Sequence, residues 1–381
     1  MREIMRAVSF VIPCLNEAQT LPLVLKKIRQ LSESALKEYQ VEMLVVDNGS
    51  TDCSVELAQR GGARVLSCAE RGYGAALRSG IANATHPIVV FADADNTYDL
   101  LEAPRLLEEL ERGSDLVLGS RLRGEIKHGA MPFLHRHLGT PFLTSMINHL
   151  YGRRGKTLSD CNSGFRCFRK DQFLSWGVKS AGMEFASEML VKALIADAKT
   201  SEVPITLYRD ERGRIPHLAR WRDGMRHVLQ ILLESPRFFF TTGTVIWSLS
   251  WLVLLTAAWT GLVTIGGATF MGLHTMMFGL LFSCVGITIF GVGLNLSARH
   301  PLRKGVYGYL LNLKEDRLFW GLVSLGLVSF TCDFLVVVKW MAAGFSNISL
   351  ERITLVLIAF STNGLIFIAN IFAAHLMKRS A

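Results

Sequence analysis

Paired thiols are missing from this chain: its seven cysteines contain no C-x-x-C pair, so their spacing marks no thiol-pair motif, and a cytosolic domain would keep them reduced. Cys161 and Cys167, the closest pair, read as small buried side chains. A secretory leader is also missing, because Met1-Arg2-Glu3 runs directly into a strand pattern; membrane insertion is expected to rely on the first apolar span. The dinucleotide fingerprint lacks its third glycine. Gly72-x-Gly74 is followed by Leu77 at that position, which argues against an NAD site. Charge is nearly absent from long segments between about 239 and 377, and acids are nearly absent from 121–154, where Glu125 stands alone against Arg121, Arg123, Lys127, Arg136, Arg153 and Arg154.

What is present is apolar and unevenly spread. Half of the 381 residues are hydrophobic, more than one globular core needs, so two units are expected. Residues 1–238 alternate short apolar runs with charged stretches, whereas 239–381 hold four spans, roughly Thr241–Ile265, Phe270–Leu296, Leu318–Met341 and Ile353–Met377. Each is near or above the roughly 20 residues that cross a bilayer core. Arg299, Arg303, Lys304, Lys314 and Arg317 crowd the loop between the second and third spans against Glu315 and Asp316. The positive-inside bias therefore places that loop, the N-terminal domain and both termini in the cytoplasm of a multi-pass cell-membrane (inner-membrane) protein. Asp333 lies inside the third span, where an acid normally faces a partner or a wet cavity. An oligomer contact, a pairing with Asn363 of the next span, and lipid passage all stay open, and Lys339 is expected to snorkel.

Residues 1–238 read as alternating strands and helices: strands at Ala7–Ile12, Val41–Val46, Ala63–Leu66 and Ile88–Ala92, helices at Glu17–Leu31, Asp52–Arg60 and Gly74–Ala82. Such alternation predicts an α/β domain with a mostly parallel sheet, followed here by an all-α transmembrane domain of four helices. Ligands of such sheets bind beyond the carboxyl ends of the strands. Those ends are polar: Pro13-Cys14-Leu15-Asn16-Glu17, Asp47-Asn48-Gly49-Ser50-Thr51-Asp52 and Asp93-Ala94-Asp95. Asn16 or Glu17, and one of Ser50, Thr51 and Asp52, are natural helix caps, whereas Asp47 precedes its turn and is harder to explain that way. The D-x-D triplet is either a solvated pair in an ordinary turn or a seat for Mg²⁺ or Mn²⁺ on a phosphorylated donor, since these ions take one or two carboxylates plus phosphate oxygens.

In their order and spacing, Val11–Glu17, Val45–Asp52, Asp93-Ala94-Asp95 and Gly119-Ser120-Arg121 resemble the family 2 glycosyltransferases of GT-A fold, and among them the polyprenyl-phosphate glycosyltransferases such as dolichol-phosphate mannose and glucose synthases. Asn162–Arg166 and the basic stretch before the first span extend the likeness across the soluble domain. The resemblance implies a metal-dependent, inverting transfer of one sugar from a nucleotide-sugar donor to a polyprenyl phosphate at the cytoplasmic membrane face, with UDP-glucose favoured and GDP-mannose next. It implies that Pro13, Leu15 and Glu17 line the nucleotide pocket, Asp47 contacts the base, Asp93 the ribose, and Asp95 the metal, with Ala94 completing the donor motif. Relatives often have glutamine where Thr97 stands, so the resemblance makes Thr97 the second metal-site position, with Asn96 or Thr97 reaching the metal through water, and they often have an aromatic residue where Leu15 stands.

Arginine supplies the acceptor side. Its planar fork suits a phosphate better than lysine does, and the resemblance points to Arg121, Arg136 and Arg212, with Thr140 and Arg214 beside them, Arg121 and Arg136 being counted with Asp95 as catalytic. The remaining basic residues of 121–154 and 212–237, mixed with Phe133, Phe142 and Trp221, read as helices on anionic membrane lipids. A phosphate monoester is already largely ionised, with a second pKa of about 6, so no strong base is required. Glu184 and Glu188, one helical turn apart, either bind sugar hydroxyls or serve their own helix. A glycosyltransferase extending a saccharide or another lipid is the alternative, but the processivity signature Q-x-x-R-W is absent, Ala219-Arg220-Trp221 lacking the glutamine. A non-catalytic membrane scaffold or lipid transporter is the reading from another class. No nucleic-acid partner is expected, and a homo-oligomer stays open.

Overall fold

The β-branched run around Val8–Ile12 lies at the centre of β1 (Arg6–Cys14), and the chain then alternates as expected: α1 (Leu21–Glu33), β2 (Tyr39–Asp47), α2 (Ser54–Arg60), β3 (Arg64–Ser67), α3 (Tyr73–Asn83) and β4 (Ile88–Phe91). There follow α4 (Ala103–Glu111), β5 (Leu116–Ile126), α5 (Thr140–Tyr151), β6 (Arg166–Arg169), α6 (Lys170–Trp176), α7 (Phe185–Ile195), β7 (Thr200–Leu207) and α8 (Arg220–Leu233). The computed structural model describes residues 6–152, 157–210, 220–260, 263–265, 268–298, 306–344 and 351–380. The chain divides into two units, Met1–Ile231 and Leu232–Ala381.

The first unit is one seven-stranded sheet in the order β3-β2-β1-β4-β6-β5-β7. β6 runs antiparallel to both of its neighbours, and the other pairings are parallel. Alternate residues of each strand feed opposite cores. Val8, Phe10 and Ile12 join Val45 and Val90 under α1 and α4, while Val11, Leu44, Val46, Val89 and Phe91 pack under α3, α5, α6 and α7. Strand order reverses beside β1, which leaves a crevice at the carboxyl ends of β1 and β4.

Helix α1 starts at Leu21, four residues later than the apolar pattern predicts. Asn16 stands at a left-handed φ of 58°, which a right-handed helix does not continue through, and the N–H groups of Asn16, Glu17 and Ala18 bond Ser50, Ser54 and Asp52 of the next loop at 3.0, 2.8 and 3.1 Å. The N-cap of α2 is Cys53, with no side-chain cap bond of its own, and Asp52 just before it accepts the Ser54 N–H through Oδ1 at 3.0 Å.

Glu42 on β2 accepts hydrogen bonds from Ser9, Thr85 and Arg64. Burial alone would raise its pKa, but these donors outweigh it and hold the carboxyl down at about 2 against an ordinary 4.5. A depressed folded-state pKa gives stability that is present above pH 4.5 and disappears as pH falls toward 2. Glu42→Gln should therefore be less stable than wild type at pH 7, and the gap should close on acidification; denaturant midpoints of the two proteins from pH 6 to 2.5 check this.

The second unit contains α9 (Pro236–Thr260), a hairpin of β8 (Val263–Ile265) and β9 (Ala268–Met271), α10 (Leu273–Ser297), α11 (Val306–Leu311), α12 (Glu315–Ala342) and α13 (Glu351–Ser380). Among the described residues four helices, at Pro236–Thr260, Leu273–Ser297, Phe319–Ala342 and Arg352–Lys378, are long and apolar enough to cross a membrane. The first two spans differ from the hydropathy reading. Val263–Ile265, expected to end the first span, is strand, as is the expected start of the second at Phe270 and Met271; β-branched Val263, Thr264 and Ile265 favour that pairing.

Polar side chains tie these helices together, as unsatisfied groups in hydrocarbon are costly. Asn363 of α13 accepts the Trp247 indole N–H of α9 at 2.9 Å and donates to Ser283 of α10 at 2.9 Å. It is therefore not the partner of Asp333. That acid accepts the Ser361 hydroxyl of α13 at 2.8 Å, two residues from Asn363 and with that helix's amide turned to α9 and α10.

Candidate active site

Register places the three polar ends together. Cys14 pairs with Asp47, and Val11 with Phe91, so the loops after β1, β2 and β4 leave the same edge of the sheet. The first two are latched: Asn16, at a left-handed φ of 58°, accepts the Thr51 N–H at 2.7 Å through its side chain. Asp47 is buried, and its two oxygens accept the Gly49 and Ser50 N–H groups at 3.1 and 3.0 Å. It thus builds the turn that follows it, a role its position before the turn did not announce. Pro13 and Leu15 are half-buried beside this edge and Glu17 is nearly buried.

Gly72 and Gly74, unexplained once a dinucleotide site is set aside, admit another loop. Gly72 has φ 136°, and a Cβ there would stand 2.1 Å from the Ala181 carbonyl; a Cβ at Gly74 would stand 2.5 Å from that of Ser180. The 179–182 loop is held from behind by Glu188, which accepts the Lys179 and Ser180 N–H groups and pairs with Lys192 at 2.7 Å. Glu188 therefore serves its own helix and loop. Glu184 accepts the Gly182 N–H at 3.3 Å.

The D-x-D acids are held differently. Asp93 accepts the Tyr73 hydroxyl at 2.8 Å, and burial, then the charge of Asp95, push its pKa up to about 7 against the pull of Tyr73 and Arg121. Asp95 Oδ1 accepts both the N–H and the hydroxyl of Thr97, at 3.0 and 2.7 Å, so Thr97 orients Asp95. The Ala94 methyl is buried in the α1/α4 core, which leaves only its backbone for a donor. Asn96 adopts a left-handed φ of 59°, and its Oδ1 is buried with no hydrogen-bond partner among the described residues. Among those residues no group of three or more His, Cys, Asp and Glu side chains is placed to hold a metal.

Strand β6 carries the arginine side. Phe91 and Leu118 both pair with Arg166, so Asp93, just past the end of β4, and Arg121, within β5, lie near the same level on either side of β6. The β5/β7 register shifts between Ser120 and Glu125, and such irregularities re-aim side chains. Arg121 turns to Asp160, donating from Nε and Nη2 at 2.7 Å each. Burial would raise the Asp160 pKa, but Arg121 holds it below the usual carboxylate range. Arg166, wholly buried, donates to the carbonyls of Ser163, Ala186 and Cys161 and thereby fixes the 161–166 loop. In that loop Gly164 lies against Asp93: a Cβ there would stand 2.6 Å from Asp93 Oδ2. The resemblance implies that Asp93 contacts the donor's ribose, so Gly164→Ala should displace this carboxylate and weaken nucleoside-diphosphate binding by about tenfold, about 1.4 kcal/mol, in calorimetry.

Arg136 lies in the π-helical turn His135–Gly139, exposed, among Phe133, Leu134, Leu138 and Phe142, all exposed as well. Thr140 is buried one turn on. Thr144 of the same helix accepts the Cys161 N–H at 3.2 Å, next to Asp160. Arg212 and Arg214 lie outside the described residues. Asp160, Glu202, Tyr73 and Tyr98, which hold these groups in place, escaped the sequence reading; their partners stand 20 to 66 positions away in the chain.

A mostly parallel sheet with one antiparallel strand and a D-x-D turn at its switch point is the layout of a GT-A glycosyltransferase domain. Residues 9–173 match the family described as Glycosyl transferase family 2. The low-salt glycan biosynthesis hexosyltransferase Agl6 of Haloferax volcanii is 34% identical over 353 residues, covering 90% of this chain and 82% of that protein. The dolichyl-phosphate hexose transferase of the same organism is 31% identical over 202 residues, covering 52% of this chain and 81% of the relative. Among solved structures, glucosyl-3-phosphoglycerate synthase from Mycobacterium tuberculosis in complex with Mn²⁺, uridine diphosphate and glucosyl-3-phosphoglycerate is 24% identical with a TM-score of 0.48, covering 60% of this chain and 79% of that one. The chain belongs to glycosyltransferase family 2 and is a glycosyltransferase with hexosyltransferase relatives.

Proposed function

We propose that this enzyme moves one hexose, with inversion, from a nucleotide-sugar donor to a polyprenyl phosphate at the cytoplasmic face of a membrane, and that UDP-glucose is the donor, ahead of GDP-mannose. The observation that carries this reading is the linkage within the first unit between an exposed apolar and basic segment and the partly exposed Arg121 beside the acids. Phe133, Leu134, Arg136, Leu138 and Phe142 suit a lipid interface, and α5, which continues that segment, holds the loop that grips Arg121. A relative named as a dolichyl-phosphate hexose transferase agrees with it.

In this reading Pro13, Leu15, Glu17 and Asp47 line the nucleotide pocket, and Asp93 takes the ribose. Asp95, oriented by Thr97, holds Mg²⁺ or Mn²⁺. The buried Asn96 Oδ1, unpartnered among the described residues, is the next polar side-chain atom in the same turn that could serve such an ion. Bound there, the metal supplies charge neutralisation for the departing nucleoside diphosphate. Arg121 and Arg136, with Arg212, Arg214 and Thr140, bring in the acceptor phosphate. Because that phosphate is already ionised, these residues position it and offset the repulsion between two anions instead of removing a proton.

The reading is tested by incubating the purified full-length protein with polyprenyl phosphate and a panel of nucleotide sugars, with Mg²⁺ or Mn²⁺ and with chelator. One metal-dependent glycolipid, strongest with UDP-glucose, is expected. The absence of a glycolipid from every donor would overturn it.

A further inference from the structure

Arg121 is gripped from one side only. Asp160, wholly buried, takes its Nε and Nη2 at 2.7 Å each and its backbone N–H at 3.0 Å. Two parallel bonds fix the plane of a guanidinium as well as its place. Asp160 is itself fixed. Glu202 of β7, almost wholly buried, accepts the Asp160 N–H at 3.0 Å, the Ser159 N–H at 2.8 Å and the Ser159 hydroxyl at 2.9 Å. The second charge is balanced by Arg123, whose Nε stands 3.1 Å from Glu202. Arg121 Nη1 makes no hydrogen bond among the described residues, yet it is not sealed from solvent. It is the open end of an otherwise committed side chain, at the level of Asp93 across β6.

We propose that Asp160 and Glu202 are positioning residues for the transfer: they clamp Arg121 so that Nη1 is presented to the acceptor phosphate in one orientation. This rests on the reading of Arg121 as a phosphate contact. The clamp also settles what Arg121 contributes. Its charge is largely matched by Asp160, so it brings directed hydrogen bonds more than net charge to a cleft that already holds Glu17, Asp93 and Asp95. A buried ion pair whose members are hydrogen-bonded to a further acid costs stability compared with apolar packing. Held in register beside a site, it supplies a donor that needs no reorganisation when the anion arrives.

A double-mutant cycle on the full-length enzyme tests this, reading kcat/KM for polyprenyl phosphate at saturating donor and nucleoside-diphosphate Kd by calorimetry. Asp160→Asn should lower acceptor kcat/KM by about 30-fold, within the range for residues that orient a contacting group, and leave nucleotide Kd unchanged. In an Arg121→Met background the same change should have no further effect. An equal factor in both backgrounds, or equal loss of acceptor use and nucleotide binding, would mean a merely structural role and overturn the proposal. Glu202→Gln should repeat the pattern more weakly, and it replaces Asp160→Asn in the cycle if that variant does not fold. Failure of the functional reading looks different: wild type then leaves polyprenyl phosphate unmodified, and the cycle is read on the acceptor it does use.

Discussion

Asp95→Ala should lower turnover by about 10³-fold, the scale of several kcal/mol that a metal supplies by stabilising charge on a leaving group. Steady-state glycolipid synthesis at saturating Mg²⁺ or Mn²⁺ measures it. The size follows from how the acid is held. Thr97 fixes one oxygen with two donors, and no cluster of other metal-binding side chains among the described residues stands ready to substitute. Asp93 does not take over, because its own carboxyl is buried and engaged by Tyr73. Turnover within tenfold of wild type would remove Asp95 from the metal site.

Arg121→Lys should cost about 10²-fold in acceptor kcat/KM although it preserves the charge, comparable to removing one preorganised donor from an active site. A lysine has one nitrogen. It cannot satisfy both oxygens of Asp160 and still present a second nitrogen to the cleft, as the fork of Arg121 does. Nucleoside-diphosphate binding should hold within twofold, because the proposed reading assigns the donor to Asp47, Asp93 and Asp95 on other strands. Equal weakening of donor and acceptor would contradict the division of the cleft into two sides.

Much of this site was legible because its signals are local. An apolar run ending in Asp93-Ala94-Asp95 reads as a strand delivering acids to a sheet edge, and the alternation before it reads as a parallel sheet. What escaped was long-range. Asp160 meets Arg121 across 39 residues, and Glu202 reaches Asp160 across 42. No periodicity marks either acid. Local pattern also misled where tertiary contacts intervened: the Glu17–Thr20 segment has helical spacing, but the Glu17 and Ala18 N–H groups bond the 50–54 loop and Thr20 only turns back on the Glu17 carbonyl. In the second unit, hydropathy found all four long helices and not the short hairpin between the first two, since β-branched residues are equally apolar in either state. Nor does hydropathy pair polar side chains, and Asp333 met Ser361 where Asn363 looked equally available.

The central claim is that the acceptor is an ionised lipid phosphate. Phosphorus-31 spectroscopy of the full-length enzyme with polyprenyl phosphate, UDP-glucose and Mg²⁺ tests it most directly, because the new bond from the anomeric carbon to a phosphate oxygen turns that phosphorus from a monoester into a diester. The account predicts that the phosphomonoester signal of the lipid converts to a phosphodiester as UDP appears in equal amount, and that chelator stops both. UDP release with the lipid monoester unchanged and the sugar found on a hydroxyl would contradict it.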